Sequence, residues 1–514
     1  MLIGEILSTT AGIFSDKTAL ICEGAKQTYG ELDAQANRIA NALIREDLAR
    51  GHNMAIYSTN RIEYPAIFFG AAKSGGVLAH LSARFSADEA IHVINGTDIE
   101  AIFVHANLVQ HVIDHRDQLP DLKRVIVFGD GASAGHGVET LEDFIGDASS
   151  ALPKVDIQET DPFGITYTGG TTGFPKGVVV NHAARVIGSV RAEREFEIAA
   201  TDTICCSSPL FHIAGLFIWY QTGVLMGLTA VIMPSWDPDE FMSLSAEHGI
   251  TAAFMVPTQI NSVISHEKFD AARLENLRYV NYGASPTSLA QLKRQMEALP
   301  KVIWQEQYGQ SEAGNLTYRP PELNLEKSGS VGRAYSDLEL AILDNNDQPL
   351  PAGERGEVVT RGTQVMMYYY KELEKTAETF TEDGWIKTGD VGYLDDDGYL
   401  FLVDRSKDMI ISGGENIYPT EIEEALYKHD AVNECAVFGI PDDHWGELPA
   451  AHVVLEAGAS LSEEDLEQFC ADNIARYKRP RLIKFVDSLP KSAVGKIQKN
   501  VIREAYWEGR EKGI

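Results

Sequence analysis

A chain of 514 residues, 44% of them apolar, has material for a sizeable core in about three domains, or in one large domain with an appendage. Its formal charge of −31 argues against a nucleic-acid coat or a basic membrane-surface protein. The five cysteines form no CxxC or metal-ligand pair, the N-terminus lacks a basic region followed by an apolar core, and no long uncharged apolar run occurs. A reduced, cytoplasmic protein without a membrane span is therefore expected.

Over roughly the first 160 residues helix and strand signals alternate. Thr28 and Glu31 form a capping box, and Leu32, Ala36, Ile39, Ala40, Leu43 and Ile44 follow at helical spacing. Met54–Tyr57 reads as a strand and Tyr64–Ala72 as a buried helix. Ser86 and Glu89 form a second capping box ahead of the strands Ile99–Val104 and Arg124–Phe128. The same texture, with strands at Ala252–Val256 and Arg278–Tyr282, runs to about residue 330 and predicts an α/β fold with doubly wound parallel sheets. Then Leu338–Leu343, Gly356–Arg361, Gly392–Leu394 and Tyr399–Val403 read as short strands between Asp/Gly/Asn turns, a small antiparallel β-subdomain over about 330–404. Beyond Arg405 an α+β pattern returns: helix Thr420–Leu426, strands Glu434–Ile440 and Ala451–Leu455, helix Glu463–Ile474. The polar turn at 404–408 marks the expected boundary between an N-terminal domain, 1–406, and a C-terminal domain, 407–514, large enough to fold and move as a unit.

The stretch 166–177 is the strongest chemical signal. It follows an apolar run, Phe163 to Ile165, and leads into Val178, Val179 and Val180. Gly169, Gly170 and Gly173 let the backbone approach a bulky anion, while the hydroxyls of Thr168, Thr171 and Thr172, free N–H groups and Lys176 suit phosphate oxygens. A Walker loop needs Gly-Lys-Ser/Thr leading into a helix, whereas Lys176 stands between Pro175 and Gly177. The bland alternative is a flexible Gly/Thr hairpin.

Four further stretches combine suitable chemistry with an ordinary alternative. Tyr308, Gly309, Gln310, Ser311 and Glu312 could stack on a base and hold Mg²⁺, or could be a strand-to-helix turn. Asp390, closing the run from Trp385, could accept two ribose hydroxyls, or belong to a Gly-Asp hairpin turn. Arg405 could reach the same ribose or a phosphate, or sit in a solvated linker. Lys496 follows a glycine-containing turn and is by default a surface lysine.

Taken in this order and at these spacings, the motifs resemble the adenylate-forming superfamily, in its acyl- and aryl-CoA synthetase branch, over essentially the whole chain. The resemblance implies a large N-terminal domain of two doubly wound sheets plus the β-subdomain, and a mobile C-terminal domain hinged at Lys407. It implies a carboxylic acid–CoA ligase using ATP, Mg²⁺ and coenzyme A, which forms an acyl-adenylate and then a thioester. Thr168 to Gly173 and Lys176 would grip the phosphates, and Glu312 with Thr168 the metal. Gly283, Ala284, Ser285, Gln307, Tyr308, Gly309 and Ser311 would border the adenine and the acyl carboxylate, and Asp390 and Arg405 would hold the ribose. Lys496 would attend the reacting carboxylate and α-phosphate in one conformation only. In the other, Ser412, Gly413, Gly414 and Glu415 would line a pantetheine channel. His212 would gate the acyl pocket, or be a packed core histidine, with Ala214, Gly215 and Ile218 beside it, and Gly283 and Gly309 closing it. The run after His212 carries no charge, and Ala214 and Gly215 in it are small, which implies an apolar acid: medium-chain fatty, arylpropanoid or alicyclic. Ser311 stands where the family usually has threonine and keeps the hydroxyl.

The basic cluster Arg476, Lys478, Arg479, Arg481 and Lys484 could attract CoA phosphates or be a solvated helix end. With no carrier-protein domain in the 514 residues, free CoA is the expected acceptor. The alternatives are loading of a separate carrier protein, luciferase-like oxidation, or a non-catalytic nucleotide-binding regulator on the same fold. A homodimer is left open, and no nucleic-acid partner is expected.

Overall fold

The structure, a computed structural model, describes the chain except residues 136, 169–174, 286, 406–407, 413–414, 443–444, 493–494 and 509–514, with backbone alone for 404, 405, 415 and 416. Three sheets organise the described residues. In the first, of eight strands, Asn53–Tyr57, Val77–Leu81, Ile99–His105 and Arg124–Phe128 run parallel, and Pro162–Thr168 joins them with its antiparallel partner Lys176–Asn181. Val77–Leu81 is buried at every position, which is why this strand is apolar on both faces, with His80 its one polar residue, rather than alternating.

The second sheet has thirteen strands. Thr18–Cys22, Thr203–Cys206, Thr229–Ile232, Ala252–Met255, Tyr279–Gly283 and Ile303–Gln310 form its parallel part. It turns antiparallel at Gly314–Tyr318 and continues unbroken through Ser330–Ala334, Tyr399–Arg405, Ile386–Leu394, Gly356–Arg361 and Glu339–Leu343. The antiparallel stretch is thus stitched to the parallel sheet. Tyr368–Tyr369 also leaves it to pair with Lys176–Asn181 in the first sheet.

Both expected capping boxes form. Thr28 and Glu31 start helix Tyr29–Arg45, and Ser86 and Glu89 start helix Ala87–Gly96. Helices Tyr29–Arg45 and Glu63–Ser74 fill the space between the two sheets, sharing one core with side chains from both. Ala87–Gly96 covers the outer face of the first sheet, and Pro238–His248, Pro257–Ile264 and Leu289–Ala298 the outer face of the second. The N-terminal helix Ile3–Phe14, poor in strong helix formers, is fixed by burial of Ile3, Ile6 and Leu7 in the shared core. The apolar run Ala214–Tyr220 winds as a wide π-type helix, a choice that an unbroken apolar run does not reveal by periodicity.

In the C-terminal unit, Pro419–Leu426 and Glu463–Asn473 pack on one face of a five-stranded sheet and Lys499–Trp507 on the other. No helix of the described residues is long and apolar enough to cross a membrane.

One buried ion pair holds the junction where the second sheet changes direction. Arg319 lies 2.6 Å from the Glu306 carboxylate and donates to the Tyr282 hydroxyl at 2.8 Å and to Asn324 Oδ1 at 3.1 Å. Burial pushes the Glu306 carboxyl up, and the guanidinium opposes that shift. Arg319→Met leaves Glu306 buried and unpaired and is expected to destabilise the protein by ~3–5 kcal/mol, read as a lowered midpoint of urea or thermal unfolding. An unchanged midpoint would show that the pair does not hold the junction.

Candidate active site

Strands Pro162–Thr168 and Lys176–Asn181 pair antiparallel as a hairpin, with Thr168 opposite Lys176. Gly169, Gly170, Thr171, Thr172 and Gly173 lie outside the described residues. At the hairpin's base, Glu312 Oε1 accepts from Thr168 Oγ1 at 3.2 Å and from the Tyr369 hydroxyl at 3.0 Å. Lys176 Nζ sits 5.3 Å from the centre of the Tyr369 ring. Burial and the Glu312 charge push the Tyr369 phenol well above its ordinary range, so it serves as a neutral donor. Tyr369 is a site residue that motif spacing missed; its signal was the aromatic run 368–370.

Tyr308 to Gly314 is a strand-to-strand turn, not the strand-to-helix turn that the sequence left open: Ile303–Gln310 folds back on Gly314–Tyr318. Ser311 and Glu312 sit in it, and the Tyr308 hydroxyl donates to Asp390 Oδ2 at 2.6 Å. Asp390 lies inside strand Ile386–Leu394 rather than in a hairpin turn, and its register partner is Arg405. The two expected ribose residues are therefore neighbours across adjacent strands.

Backbone passes close to three of the glycines named above. A Cβ on Gly283 would stand 2.3 Å from the Gln307 carbonyl oxygen, and one on Gly309 2.3 Å from that of Gly314. On Gly215 it would meet the Pro209 carbonyl oxygen at 2.6 Å. Close backbone approach thus requires glycine at these three positions. Ala284 follows with φ +70°, and Ser285 continues the bend. Gln307 is buried beside Gly283 with its Oε1 unpartnered. Ala214 and Ile218 lie on the helix after His212, with Ile218 buried in the core between the sheets.

Lys496 comes to this site from the C-terminal unit. Its turn is closed by Ser492: the Lys496 N–H donates to Ser492 Oγ at 3.1 Å, and the Ser492 N–H to the Lys496 carbonyl at 2.7 Å. The turn docks on the large domain, where Thr258 Oγ1 donates to the Gly495 carbonyl at 3.4 Å and Arg84 Nη1 to that of Ser492 at 3.3 Å. Lys496 is then near enough to His212 for its charge to be felt. Burial, Lys496 and Arg185 together push the His212 imidazole down to about 3. Arg84 and Thr258 carried no signal in the sequence.

Ser412 and Glu415 are register partners in the C-terminal sheet. Gly413, Gly414 and Lys407 lie outside the described residues. The basic cluster is largely committed to structure: Arg479 donates to the Ala471 and Ile474 carbonyls at the end of helix Glu463–Asn473, and Lys478 pairs with Glu421.

The family described as "AMP-binding enzyme" matches residues 7–370, and "AMP-binding enzyme C-terminal domain" matches residues 421–496. The chain belongs to the AMP-binding enzyme family. A Rhodococcus jostii ligase, named for joining CoA to a propanoate that bears a methyl-dioxo-octahydroindenyl ring system, is 34% identical over 513 residues, 97% of each chain. The long-chain-fatty-acid–CoA ligase FadD13 of Mycobacterium tuberculosis is 32% identical over 482 residues, 94% of this chain and 93% of its own. The crystal structure of the anthranilate CoA ligase AuaEII in complex with anthranoyl-AMP superposes with a TM-score of 0.91 at 26% identity, covering 98% of this chain and 97% of that one. Within the family the chain falls in the acyl- and aryl-CoA synthetase branch, whose large α/β domain and C-terminal domain it shares.

Because His212 is held far below the ordinary 6.5, the imidazole is neutral in the folded enzyme. The folded state therefore binds fewer protons than the unfolded chain as pH falls from 6.5 towards 3, and acidification through that window costs stability. His212→Phe is expected to leave the shape of the pH–rate profile unchanged over about pH 5–8 while altering the KM for the acid. A limb near 6.5 that disappears in the variant would show that His212 titrates in place.

Proposed function

We propose that this AMP-binding enzyme activates a carboxylic acid with an apolar body as its adenylate and transfers the acyl group to coenzyme A. The observation that carries the reading is the delivery of Lys496 from the C-terminal unit to His212, beside a site that already holds Lys176, Glu312 and Asp390. A protein that only bound a nucleotide would have no use for a lysine brought in on a separate domain.

In the first step a carboxylate oxygen attacks the α-phosphorus of ATP and the bond to the bridging oxygen breaks, releasing pyrophosphate. Two anions must meet, so the enzyme's task is to supply fixed positive charge and directed donors rather than a base. Lys176 and the hairpin tip would hold the departing phosphates, and Lys496 would neutralise charge between carboxylate and α-phosphate. Asp390, oriented by Tyr308 and opposite Arg405, would accept from the ribose. Among the described residues no group of three or more His, Cys, Asp and Glu stands ready for a metal. Glu312, with the Thr168 hydroxyl beside it, offers the hard oxygen donors that would hold a magnesium ion, and such an ion would neutralise phosphate charge there. In the second step the thiol sulfur of CoA attacks the acyl carbon, AMP leaves with the electron pair of the broken C–O bond, and the thiol proton passes to solvent. Lys496 would have withdrawn by then, and the Ser412–Glu415 turn would border the thiol.

An apolar acid body is favoured by the helix after His212, Ala214–Tyr220, which carries no charged residue. The relatives act on a ring-bearing propanoate, on long-chain fatty acids and on anthranilate, which supports the same class.

Lys496→Ala is expected to lower acid-dependent ATP–pyrophosphate exchange by roughly 10²–10³-fold while leaving thioester formation from preformed acyl-adenylate near the wild-type rate. Equal loss in both half-reactions would falsify the assignment. In a panel of acids in the same assay, medium-chain fatty, arylpropanoid and alicyclic acids are expected to support exchange and acetate is not. Exchange with acetate alone would sink the substrate class.

A further inference from the structure

Between the two sheets, next to His212, three polar side chains are buried with hydrogen-bonding capacity unused. Arg185, on helix His182–Glu195, is 2% exposed; its Nη2 donates to the Ser311 carbonyl at 3.0 Å, and its Nε has no partner. His80 on strand Val77–Leu81 is 1% exposed; Nδ1 is bonded to the Tyr64 hydroxyl at 2.8 Å, and Nε2 has no partner. Thr166 is 2% exposed with its Oγ1 unpartnered. Thr166 and His80 are register partners on adjacent parallel strands, so their side chains leave the same face of the sheet. That face looks onto Phe217. The His80 ring centre is 5.7 Å from that of Phe217, and the Arg185 guanidinium carbon lies 5.2 Å from the same ring.

A buried guanidinium is costly unless an anion or a set of acceptors meets it. Among the described residues no carboxylate forms an ion pair with Arg185; Glu312 is only close enough to be felt, and burial pulls the guanidinium down to about 9. His80 is held down to about 3 by burial and by the same guanidinium, so it stands beside Arg185 as a neutral imidazole. One cationic donor and one imidazole thus face a single aromatic ring, the Thr166 hydroxyl lies on the same face of the sheet as His80, and Arg185 is near enough to His212 for its charge to be felt. Each is a group that a protein interior normally satisfies.

We propose that Arg185, His80 and Thr166 form a polar subsite of the acyl pocket, and that the acid this enzyme activates carries an oxygen acceptor, a ketone or a second carboxylate, which they receive. The inference rests on the ligase reading and narrows its substrate class: an apolar body with an oxygen placed to reach Arg185. A pocket built around unpaired donors discriminates strongly against an analogue that lacks the matching acceptor, because binding that analogue leaves the donors buried and unmet.

The test is acid-dependent ATP–pyrophosphate exchange with pairs of acids of equal size. One member carries a ring ketone or a distal carboxylate, and the other is the hydrocarbon parent. The wild-type enzyme is expected to prefer the oxygenated member by roughly 10- to 100-fold in kcat/KM, with the ketone and carboxylate arms distinguishing the two acceptors. Arg185→Met is expected to bring that ratio towards one, and Thr166→Val to reduce it several-fold. Equal activation of both members by the wild type overturns the proposal. So does an Arg185→Met enzyme that loses the same factor with both acids, which would mark Arg185 as a support for Ser311 alone. Should Arg185→Met not fold, the Thr166→Val ratio decides, and an unchanged ratio there overturns the subsite. Failure of every acid to support exchange in the wild type would instead bring down the ligase reading, so the two failures are distinguishable.

Discussion

Electrostatic repulsion is the constraint on which the rest of this molecule depends. In the proposed reaction a carboxylate must come within bonding distance of a triphosphate, in a chain that itself carries a formal charge of −31. Distant surface charge is screened by salt, so what matters is the few cations within a Debye length of the reacting atoms. Lys176 is part of the hairpin itself, whereas Lys496 is supplied by the far end of the chain. The first can hold a phosphate in place throughout. The second can be present for one reaction and absent for the next.

The two lysines are mounted in different ways, and the mounting matches that division. Thr168, Glu312 and Tyr369 tie together the first strand of the hairpin, the turn after Ile303–Gln310 and the short strand that pairs with Lys176–Asn181. Separating them would break a sheet edge and a buried cluster. Among the described residues, Thr258 and Arg84 hold the Lys496 turn by side chain-to-carbonyl hydrogen bonds. It is helped by ion pairs of Arg294 with Glu456 and Arg355 with Glu421, both arginines being largely exposed. Exposed pairs of that kind are worth about 0–1 kcal/mol each, so the docked arrangement is secured without being locked.

Several residues that motif reading singled out carry a further reason in the structure. Gly215, Gly283 and Gly309 each lie where backbone passes too close for a Cβ. Conversely, Arg185 sits in a helix with no motif attached, and what marks it is burial against Phe217 with no ion-pair partner among the described residues. Size and charge are properties of a residue, whereas room and unmet hydrogen bonds are properties of its surroundings. A reading of spacing alone is therefore weakest at the acyl side of the site, where specificity is decided.

By itself the sequence determined the local and ordered features. These were the two capping boxes, the parallel α/β texture, the change of texture near residue 330, and the order of the phosphate loop, Glu312, Asp390 and Lys496 along the chain. Each rests on interactions spanning a few residues, or on the identity of groups that the chemistry requires. The tertiary structure decided what lies opposite what. It continued the antiparallel strands into the second sheet, set Asp390 beside Arg405, brought Tyr369 onto Glu312, and carried Lys496 to His212. It also enclosed Arg185 and His80 against Phe217, with Thr166 beside His80, leaving Arg185 Nε, His80 Nε2 and Thr166 Oγ1 without a partner. Contacts between residues hundreds of positions apart arise from how two sheets and a second domain pack, and periodicity within a window of a dozen residues carries no record of that packing.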